Sequence, residues 1–304
     1  MSSSVVSVVE QAVRIMQTGG HDFAAVVGPT ASGKTALAIE LADRVGGEIV
    51  GADSVQIYRA FDIGSGKPTR EELRRTPHHL VDTIDPMAPI DAAMWATHAA
   101  QAVAEVRDRG RVPIVCGGTF LWIRALLFGL APLPGASAEL RARHQAIVER
   151  EGPWALHNRL LVVDPEIAAR LHPNDIVRVS RALEVHELTG RPMSAWQREH
   201  GFALARHTAC LLAIRCDGDT LTERIEGRAR AWLAGGWIEE VESLLERGYG
   251  DARAMSSVGY AQIRAMLDGT LPRSDLLGAI VRATRVFARR QRTWLKHADV
   301  AWLG

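Results

Sequence analysis

The sequence has few cysteines and no cysteine motif. Its three cysteines, Cys116, Cys210 and Cys216, are odd in number and form no C-x-x-C pair, which argues against a disulfide framework and a zinc site. The histidines show no H-E-x-x-H spacing, and the adjacent His78 and His79 would diverge on any regular element, so histidine metal ligation is not expected either. This composition predicts a protein of the reducing cytoplasm.

Long apolar runs are also absent. No stretch approaches the roughly 20 apolar residues of a membrane span, and the first residues lack the basic-then-apolar order of a signal peptide, so we expect no membrane association. Lys and Arg number 36 against 35 Asp and Glu, and net charge alone therefore predicts no polyanionic partner. With 304 residues, of which 47% are hydrophobic, the chain can bury a sizeable core in one or two domains.

A phosphate-binding loop is the clearest motif present. The octapeptide GPTASGKT fits G-x-x-x-x-G-K-[ST] and consists of Gly28, Pro29, Thr30, Ala31, Ser32, Gly33, Lys34 and Thr35. An apolar run precedes it and a helical pattern follows, so backbone N–H groups and the positive end of a helix dipole would point at one anion. Lys34 would add a charge, and the Thr35 hydroxyl could ligate Mg²⁺ that bridges phosphate oxygens. The flanking pattern disfavours the alternative, a turn that only caps a helix.

The order of apolar runs predicts an α/β fold. Short runs at 24–27, 48–52, 112–116 and 210–216 read as strands, and helical patterns such as 92–109 separate the first three. Strands that alternate with helices predict a P-loop NTPase-like parallel sheet flanked by helices. Strand signals vanish from 134 to 201, where 138–151, 165–171 and 176–189 read as helices. We therefore predict an N-terminal extension outside the core (1–22), a core (23–133 and 202–304) and an all-helical insertion (134–201).

Polar residues follow two of the predicted strands. Asp53 comes directly after the second strand, and Gly117-Gly118-Thr119 follows the third. Ligands bind at the carboxyl edge of open α/β sheets, so Asp53 would face the phosphate loop as a general base or a magnesium ligand. An aspartate that caps a helix or turn, and a tight glycine turn without a ligand, remain as alternatives.

Basic residues are grouped near the end of the sequence. In the segment 280–297 no acid occurs, and cations at steps of three and four share one helical stripe: Arg282, Arg285, Arg289, Arg292 and Lys296. Their mutual repulsion predicts a nucleic-acid backbone as partner, the alternative being a solvated basic face. Arg224 and Arg228 lie four apart on a predicted helix and suit a second clamp on a diphosphate, although surface ion pairing would explain them equally.

These motifs resemble a known family. The ordered set GPTASGKT, ADSVQIY, IGSGKP, PHHLVD, GGTFLWIRALL, LHPND, RALEVHELTG, SSVGYAQ and TRVFARRQRTWL is similar to that of the bacterial tRNA isopentenyltransferases, or tRNA dimethylallyltransferases, over nearly all of 23–303. The resemblance implies magnesium-dependent transfer of a dimethylallyl group from dimethylallyl diphosphate to the exocyclic amine of the adenosine just 3′ of the tRNA anticodon. It also implies that the phosphate loop holds a prenyl diphosphate and not ATP.

The resemblance assigns roles to residues. Asp53 is the implied general base. The diphosphate is stabilised by Lys34, Thr35, Mg²⁺, the loop amides and Arg224 or Arg228. Thr30 and Thr119 lie at the reacting centre. The insertion is expected to grip the anticodon stem-loop, and the enzyme is expected to be a monomer. The implied tRNA contacts are Asp53, Ser54, Val55, Gln56, Thr119, Arg141, Val177, Arg178, Val179, Ser180, Arg181, Val258, Gly259, Tyr260, Arg289, Arg290, Gln291, Arg292, Thr293, Trp294, Leu295 and Lys296.

Some positions depart from the family pattern. Trp122 stands where tyrosine is usual, Val55 where arginine or methionine is usual, and Ser65-Gly66 replaces a common Thr-Ala pair.

Three other functions stay open. The first is a P-loop kinase for a small molecule, which the basic stripe disfavours. The second is an enzyme that prenylates free adenylate, which would not need the insertion, and the third is an RNA-binding module that leaves the base unmodified.

Overall fold

A computed structural model describes residues 3–296 and 298–304 of the chain, with side chains from residue 8 onward. Met1, Ser2 and His297, which belong to the predicted N-terminal extension and basic segment, lie outside the described residues. The chain divides into two compact units, one formed by Met1–Leu127 and Arg206–Gly304, the other by Phe128–Ala205. The second unit extends a few residues beyond both ends of the 134–201 insertion that the sequence predicts.

One parallel sheet organises the first unit. Within the described residues its strands are β1 (Phe23–Val27), β2 (Gly47–Gly51), β3 (His78–His79), β4 (Val112–Gly117), β5 (Ala209–Ile214) and β6 (Ala301–Leu303). They lie in the order β3-β2-β4-β1-β5-β6, and every neighbouring pair is parallel. All residues of β1 and β2 are buried, which is typical of a sheet covered on both faces. β3 and β6 were not predicted because runs of two and three residues give no periodic signal.

Helices flank this sheet. The helices of the first unit are α1 (Ser3–Gln17), α2 (Lys34–Val45), α3 (Arg70–Arg75), α4 (Ala92–Asp108), α5 (Phe120–Phe128), α11 (Gly218–Ala234), α12 (Trp237–Glu246), α13 (Tyr260–Leu267) and α14 (Leu276–Leu295). The last residue of α5, Phe128, is the first residue of the second unit. Short 3-10 helices span Tyr249–Asp251, Arg253–Ser256 and Arg273–Asp275. Helix α4 begins where the sequence predicts it, because the Asp91 carboxylate accepts hydrogen bonds from the N–H groups of Ala93 and Met94, both at 2.9 Å.

Helix α1 belongs to the hydrophobic core, which corrects the prediction that segment 1–22 lies outside it. Val9 and Ala12 are buried in one cluster with Leu41 of α2 and Leu303 of β6. The physical reason is the apolar stripe of α1, which is stabilised only if another surface covers it. The sequence shows the apolar stripe of α1 but not the surface of α2 and β6 that covers it.

The second unit consists of helices. They are α6 (Ala138–Glu151), α7 (Pro153–Val163), α8 (Pro165–Ala168), α9 (Ile176–Thr189) and α10 (Met193–His200). α6 and α9 match the predicted bounds and α8 is shorter than the predicted 165–171, whereas the sequence analysis assigned no helix to the residues of α7 and α10. α7 starts at Pro153, and proline is well accommodated in the first helical turn, where its missing N–H costs nothing. Leu156, Leu160, Val179 and Leu183 form the core of this unit.

Two glycines give a stability test of the packing at the sheet edge. A Cβ atom on Gly117 would lie 2.1 Å from the carbonyl oxygen of Ala52, whereas one on Gly227 of α11 would meet nothing within 4 Å. We expect Gly117→Ala to lower the free energy of unfolding by about 1–3 kcal/mol because the backbone must shift. Gly227→Ala should raise it by up to about 1 kcal/mol through helix propensity. Urea denaturation measures both, and equal effects would contradict this packing.

Candidate active site

The phosphate loop connects the central strand β1 to α2. Gly33 has φ = 90° and Ala31 has φ = 64°, a left-handed conformation that is common for glycine and uncommon for other residues. The Ser32 hydroxyl is buried and has no hydrogen-bond partner among the residues that the structure describes, and Ser32 itself is 2% exposed. The first N–H groups of α2 have no partner within the helix. Together these unpaired donors form the cradle that the sequence predicts for an anion.

Lys34 and Thr35 line a small cavity of about 20 Å³ together with Asp53 and Cys116. Burial lowers the pKa of the Lys34 ammonium, and the nearby Asp53 carboxylate acts in the opposite direction. Burial raises the pKa of the Cys116 thiol to about 11, so this cysteine is not a thiolate at neutral pH. The Lys34 amine and the Asp53 carboxylate thus line the same cavity.

Asp53 is held in a defined orientation at the carboxyl edge of the sheet. Its Oδ1 accepts hydrogen bonds from the N–H groups of Val55 at 2.9 Å and Gln56 at 3.3 Å, the arrangement of an Asx turn. Among the described residues, no hydrogen bond to its Oδ2 is recorded. The Oγ1 of Thr119 accepts from the Ser54 N–H at 3.1 Å, which ties the turns after β2 and β4 together. Asp53 is thus both a turn aspartate and a carboxylate with one oxygen available.

The two arginines of α11 differ in position. The Arg228 guanidinium donates from Nη2 to the Thr30 Oγ1 at 2.5 Å and lies 4.5 Å from the ring centroid of Trp232. Burial lowers the pKa of Arg228 to about 10, so it remains a cation at neutral pH. Arg224 is exposed. The structure thus places Arg228 at the phosphate loop and leaves Arg224 at the surface of the same helix.

The segment 61–67 contains the sequence Gly-Ser-Gly-Lys but has Phe61 in place of the first glycine of a phosphate loop, and it binds a carboxylate of the chain itself. Glu240 accepts from the N–H groups of Asp62, Ile63 and Gly64 at 3.0, 2.7 and 3.4 Å. The Tyr260 hydroxyl donates to the same carboxylate at 2.6 Å. Nothing in the sequence predicted this role for Glu240.

The other side of this segment is fixed by Gln56. Its Nε2 donates to the carbonyl groups of Ser65 at 3.0 Å and Gly66 at 2.8 Å, so its amide nitrogen is already committed within the protein. Lys67 pairs with Asp62 and Asp82 at 2.6 and 2.5 Å, and its side chain is 8% exposed. The lysine of this segment is therefore paired with carboxylates and unavailable for a phosphate.

The basic stripe of α14 is exposed as predicted. Arg282, Arg285, Arg289, Arg292 and Lys296 are all exposed, as is the neighbouring Arg290. Among the described residues none of these six forms an ion pair with an acid. A row of unneutralised cations on one helix face is the electrostatic footprint of a polyanion-binding surface.

Several residues that the family resemblance assigns to tRNA contact are buried. Val179, Ser180, Gly259, Tyr260, Gln291 and Leu295 lie in the interior. Tyr260 is fully buried and holds Glu240, and the Ser180 hydroxyl is 2.9 Å from His144 Nδ1. Gly259 has φ = 94°, and a Cβ there would lie 2.0 Å from the Trp237 ring. In this structure these six residues pack against or position other groups, and their assignment to tRNA contact stays a prediction.

The remaining members of that set are at least partly exposed. Val177, Arg178, Val258, Thr293 and Trp294 retain exposed surface. In the second unit, Arg141 and Arg181 both pair with Glu184, which is fully buried, through donor–acceptor distances of 3.2 and 2.5 Å. Their guanidinium groups are therefore held in place by a carboxylate, while each keeps part of its surface open to solvent.

The sheet, the loop after its central strand and the carboxylate at the same edge define a P-loop α/β protein. Comparison with known proteins then identifies the family. The model of the family described as IPP transferase matches residues 56–298. The chain is 62% identical over 278 residues to the tRNA dimethylallyltransferase of Sorangium cellulosum, covering 91% of this chain and 88% of that protein. The chain belongs to the IPP transferase family.

Other relatives agree with this placement. The tRNA dimethylallyltransferase of Myxococcus xanthus is 48% identical over 271 residues, or 89% of this chain and 88% of that protein. The tRNA isopentenylpyrophosphate transferase crystal structure from Bacillus halodurans is 34% identical with a TM-score of 0.67, covering 92% of this chain and 89% of that one. A eukaryotic dimethylallyltransferase acting on tRNA has a TM-score of 0.72 at 25% identity, covering 92% of this chain and 73% of that one.

Among the residues that the structure describes, no helix combines the length and the apolar character of a membrane span.

Proposed function

We propose that this chain transfers the dimethylallyl group of dimethylallyl diphosphate to the exocyclic amine of the adenosine 3′-adjacent to the tRNA anticodon. The observation that carries the proposal is the cavity in which Lys34 and Thr35 of the phosphate loop face Asp53. The phosphate loop at this cavity can bind a diphosphate through Lys34 and the backbone N–H groups, and the Asp53 carboxylate on the same cavity can accept a proton. Membership of the family supplies the donor and acceptor classes.

The residues have distinct tasks in this reaction. A bond forms between the amine nitrogen and the allylic carbon, while the carbon–oxygen bond to diphosphate breaks and its electron pair leaves with the diphosphate. Asp53 takes the proton of the amine, which is a weak nucleophile because its lone pair is delocalised. Lys34, the loop N–H groups and Arg228 stabilise the departing negative charge. The acceptor base has to be unstacked to reach them, which costs a few kcal/mol, least in a single-stranded loop.

Magnesium fits the donor set. The Thr35 hydroxyl, which follows Lys34 at the start of α2, would hold the ion, and diphosphate oxygens and water would complete its shell. The described residues contain no cluster of three or more His, Cys, Asp or Glu that could hold a metal without substrate. The ion would neutralise the leaving diphosphate.

Label transfer tests the proposed function. Purified protein is incubated with radiolabelled dimethylallyl diphosphate and either tRNA or free adenylate, with ATP hydrolysis measured in parallel. We expect label in tRNA alone. Transfer to adenylate would indicate the related free-nucleotide enzyme, phosphoryl transfer from ATP would indicate a kinase, and salt-sensitive tRNA binding without label transfer would indicate an RNA-binding module.

Replacing Thr35 tests the magnesium site. Thr35→Val keeps the shape of the side chain and removes the hydroxyl ligand, so the Mg²⁺ concentration for half-maximal activity should rise about tenfold or more. Removal of Mg²⁺ with EDTA should abolish turnover of the unmodified protein. The matched control is Thr97→Val, because Thr97 is exposed on α4 and its hydroxyl bonds the Ala93 carbonyl of the same helix. An unchanged Mg²⁺ dependence in Thr35→Val would contradict the assignment.

A further inference from the structure

The side chain of Gln291 joins two loops of the candidate active site. Gln291 lies on the inner face of α14 and is 5% exposed. Its Oε1 accepts from the N–H of Thr30 in the phosphate loop at 2.8 Å. Its Nε2 donates to the carbonyl of Gly118 at 2.9 Å. Both ends of this one amide are thus used by backbone groups of the loops that follow β1 and β4.

The packing around this amide leaves no space for a larger neighbour. A Cβ on Gly118 would lie 2.3 Å from Gln291 Nε2, so the turn needs glycine for this hydrogen bond to form. Gly118 directly precedes Thr119, whose Oγ1 accepts the Ser54 N–H next to Asp53. A displacement of the Gly118 carbonyl would therefore be transmitted to the turn that carries Asp53.

Thr30 is held from two sides. Gln291 binds its N–H, and Arg228 of α11 donates to its hydroxyl. The N–H of Thr30 is consequently turned toward α14, and the Ser32 N–H and Lys34 Nζ bond the Pro29 carbonyl at 3.3 and 3.4 Å. This shape of the loop depends on a residue that belongs to the same helix as the exposed cations Arg289 and Arg292.

We propose that Gln291 is a positioning residue that fixes the phosphate loop relative to the Thr119 turn, and that it does not contact tRNA. The inference rests on the proposed function, because the relative position of the two loops matters only if a diphosphate and an acceptor amine meet at this edge. Loss of the amide leaves a backbone N–H and a carbonyl buried without partners, which relax by moving the two loops apart. The affinity for diphosphate and the rate of the chemical step then fall, while the outer face of α14 stays unchanged.

The test uses Gln291→Met, which keeps the length of the side chain and removes both hydrogen bonds. We expect the Kd for inorganic diphosphate to rise about tenfold and kcat to fall, with the Kd for tRNA and its salt slope unchanged. The matched control is Gln101→Met, because Gln101 is exposed on α4 and its amide bonds the exposed Glu105 side chain. If Gln291→Met does not fold, Gly118→Ala tests the same hydrogen bond by displacing Nε2 from an unchanged Gln291, with a further close approach of 3.2 Å between its Cβ and the Gly28 carbonyl oxygen.

The outcomes separate this inference from the function on which it rests. Unmodified protein that neither binds diphosphate nor transfers label refutes the proposed function. Unmodified protein that does both, with a Gln291→Met variant equal to it in diphosphate Kd and kcat, overturns the inference alone. A variant that loses tRNA affinity but keeps diphosphate affinity also overturns it, because that result makes Gln291 a tRNA contact. An equal loss in Gln101→Met overturns it as well.

Discussion

Replacement of Asp53 by asparagine is expected to lower turnover by on the order of 10² to 10⁴, with little change in diphosphate affinity. Asparagine has the same shape, and its side-chain oxygen can still accept the N–H groups of Val55 and Gln56 that orient the aspartate. The turn should therefore persist while the proton acceptor is lost. Single-turnover label transfer to tRNA measures the chemical step, and a diphosphate titration measures binding.

The matched control for this variant is Asp91→Asn. Asp91 also accepts two N–H groups with one carboxylate oxygen, at the start of α4, and asparagine is an equally good cap. Its turnover should equal that of the unmodified protein. Full turnover in Asp53→Asn would remove Asp53 from its role as base and leave it as a turn residue only.

Charge reversal on the stripe of α14 should have the second large effect. The double variant Arg289→Glu/Arg292→Glu is expected to weaken tRNA binding by on the order of 10²-fold at low salt, because two phosphate contacts are lost and two repulsions gained. The salt slope should become shallower by about one to two. Fluorescence anisotropy with tRNA at several salt concentrations measures both, and diphosphate affinity should not change.

The control reverses the same number of charges elsewhere. Arg70 and Arg74 are exposed on α3, four residues apart, so Arg70→Glu/Arg74→Glu has the same net charge. Equal losses of tRNA affinity in the two double variants would mean that net charge matters and the stripe does not. An unchanged tRNA affinity in Arg289→Glu/Arg292→Glu would leave the stripe as a solvated surface.

Local pattern predicted much of this fold and site. The phosphate loop, its flanking strand and helix, and the Asp53 turn are each encoded in a few consecutive residues, and the structure places Asp53 and Lys34 on one cavity. The bounds of α6 and α9 followed from apolar periodicity between clear breaks. The exposed stripe of α14 followed from steps of three and four. These successes concern features whose causes lie within one turn or one strand.

The rest depends on contacts between distant parts of the chain. Glu240 binds N–H groups 176 to 178 residues before it, and no spacing rule connects them. Gln291 stood among the implied tRNA contacts because the family resemblance assigns the whole stretch 289–296 to tRNA, yet its own side chain is buried. Family resemblance marks such residues as functional without telling which face of the helix they occupy.

The separation between Thr30 and Gln291 has a consequence for synthesis. The hydrogen bond between them joins residues 261 positions apart, and long-range contacts of this kind form late in folding. A ribosome completes the glycine-rich loop early but has to add more than two hundred further residues before its partner emerges. Through most of translation the phosphate loop of the nascent chain therefore lacks this hydrogen bond. We expect the loop to bind prenyl diphosphate weakly until Gln291 has been added and α14 has folded.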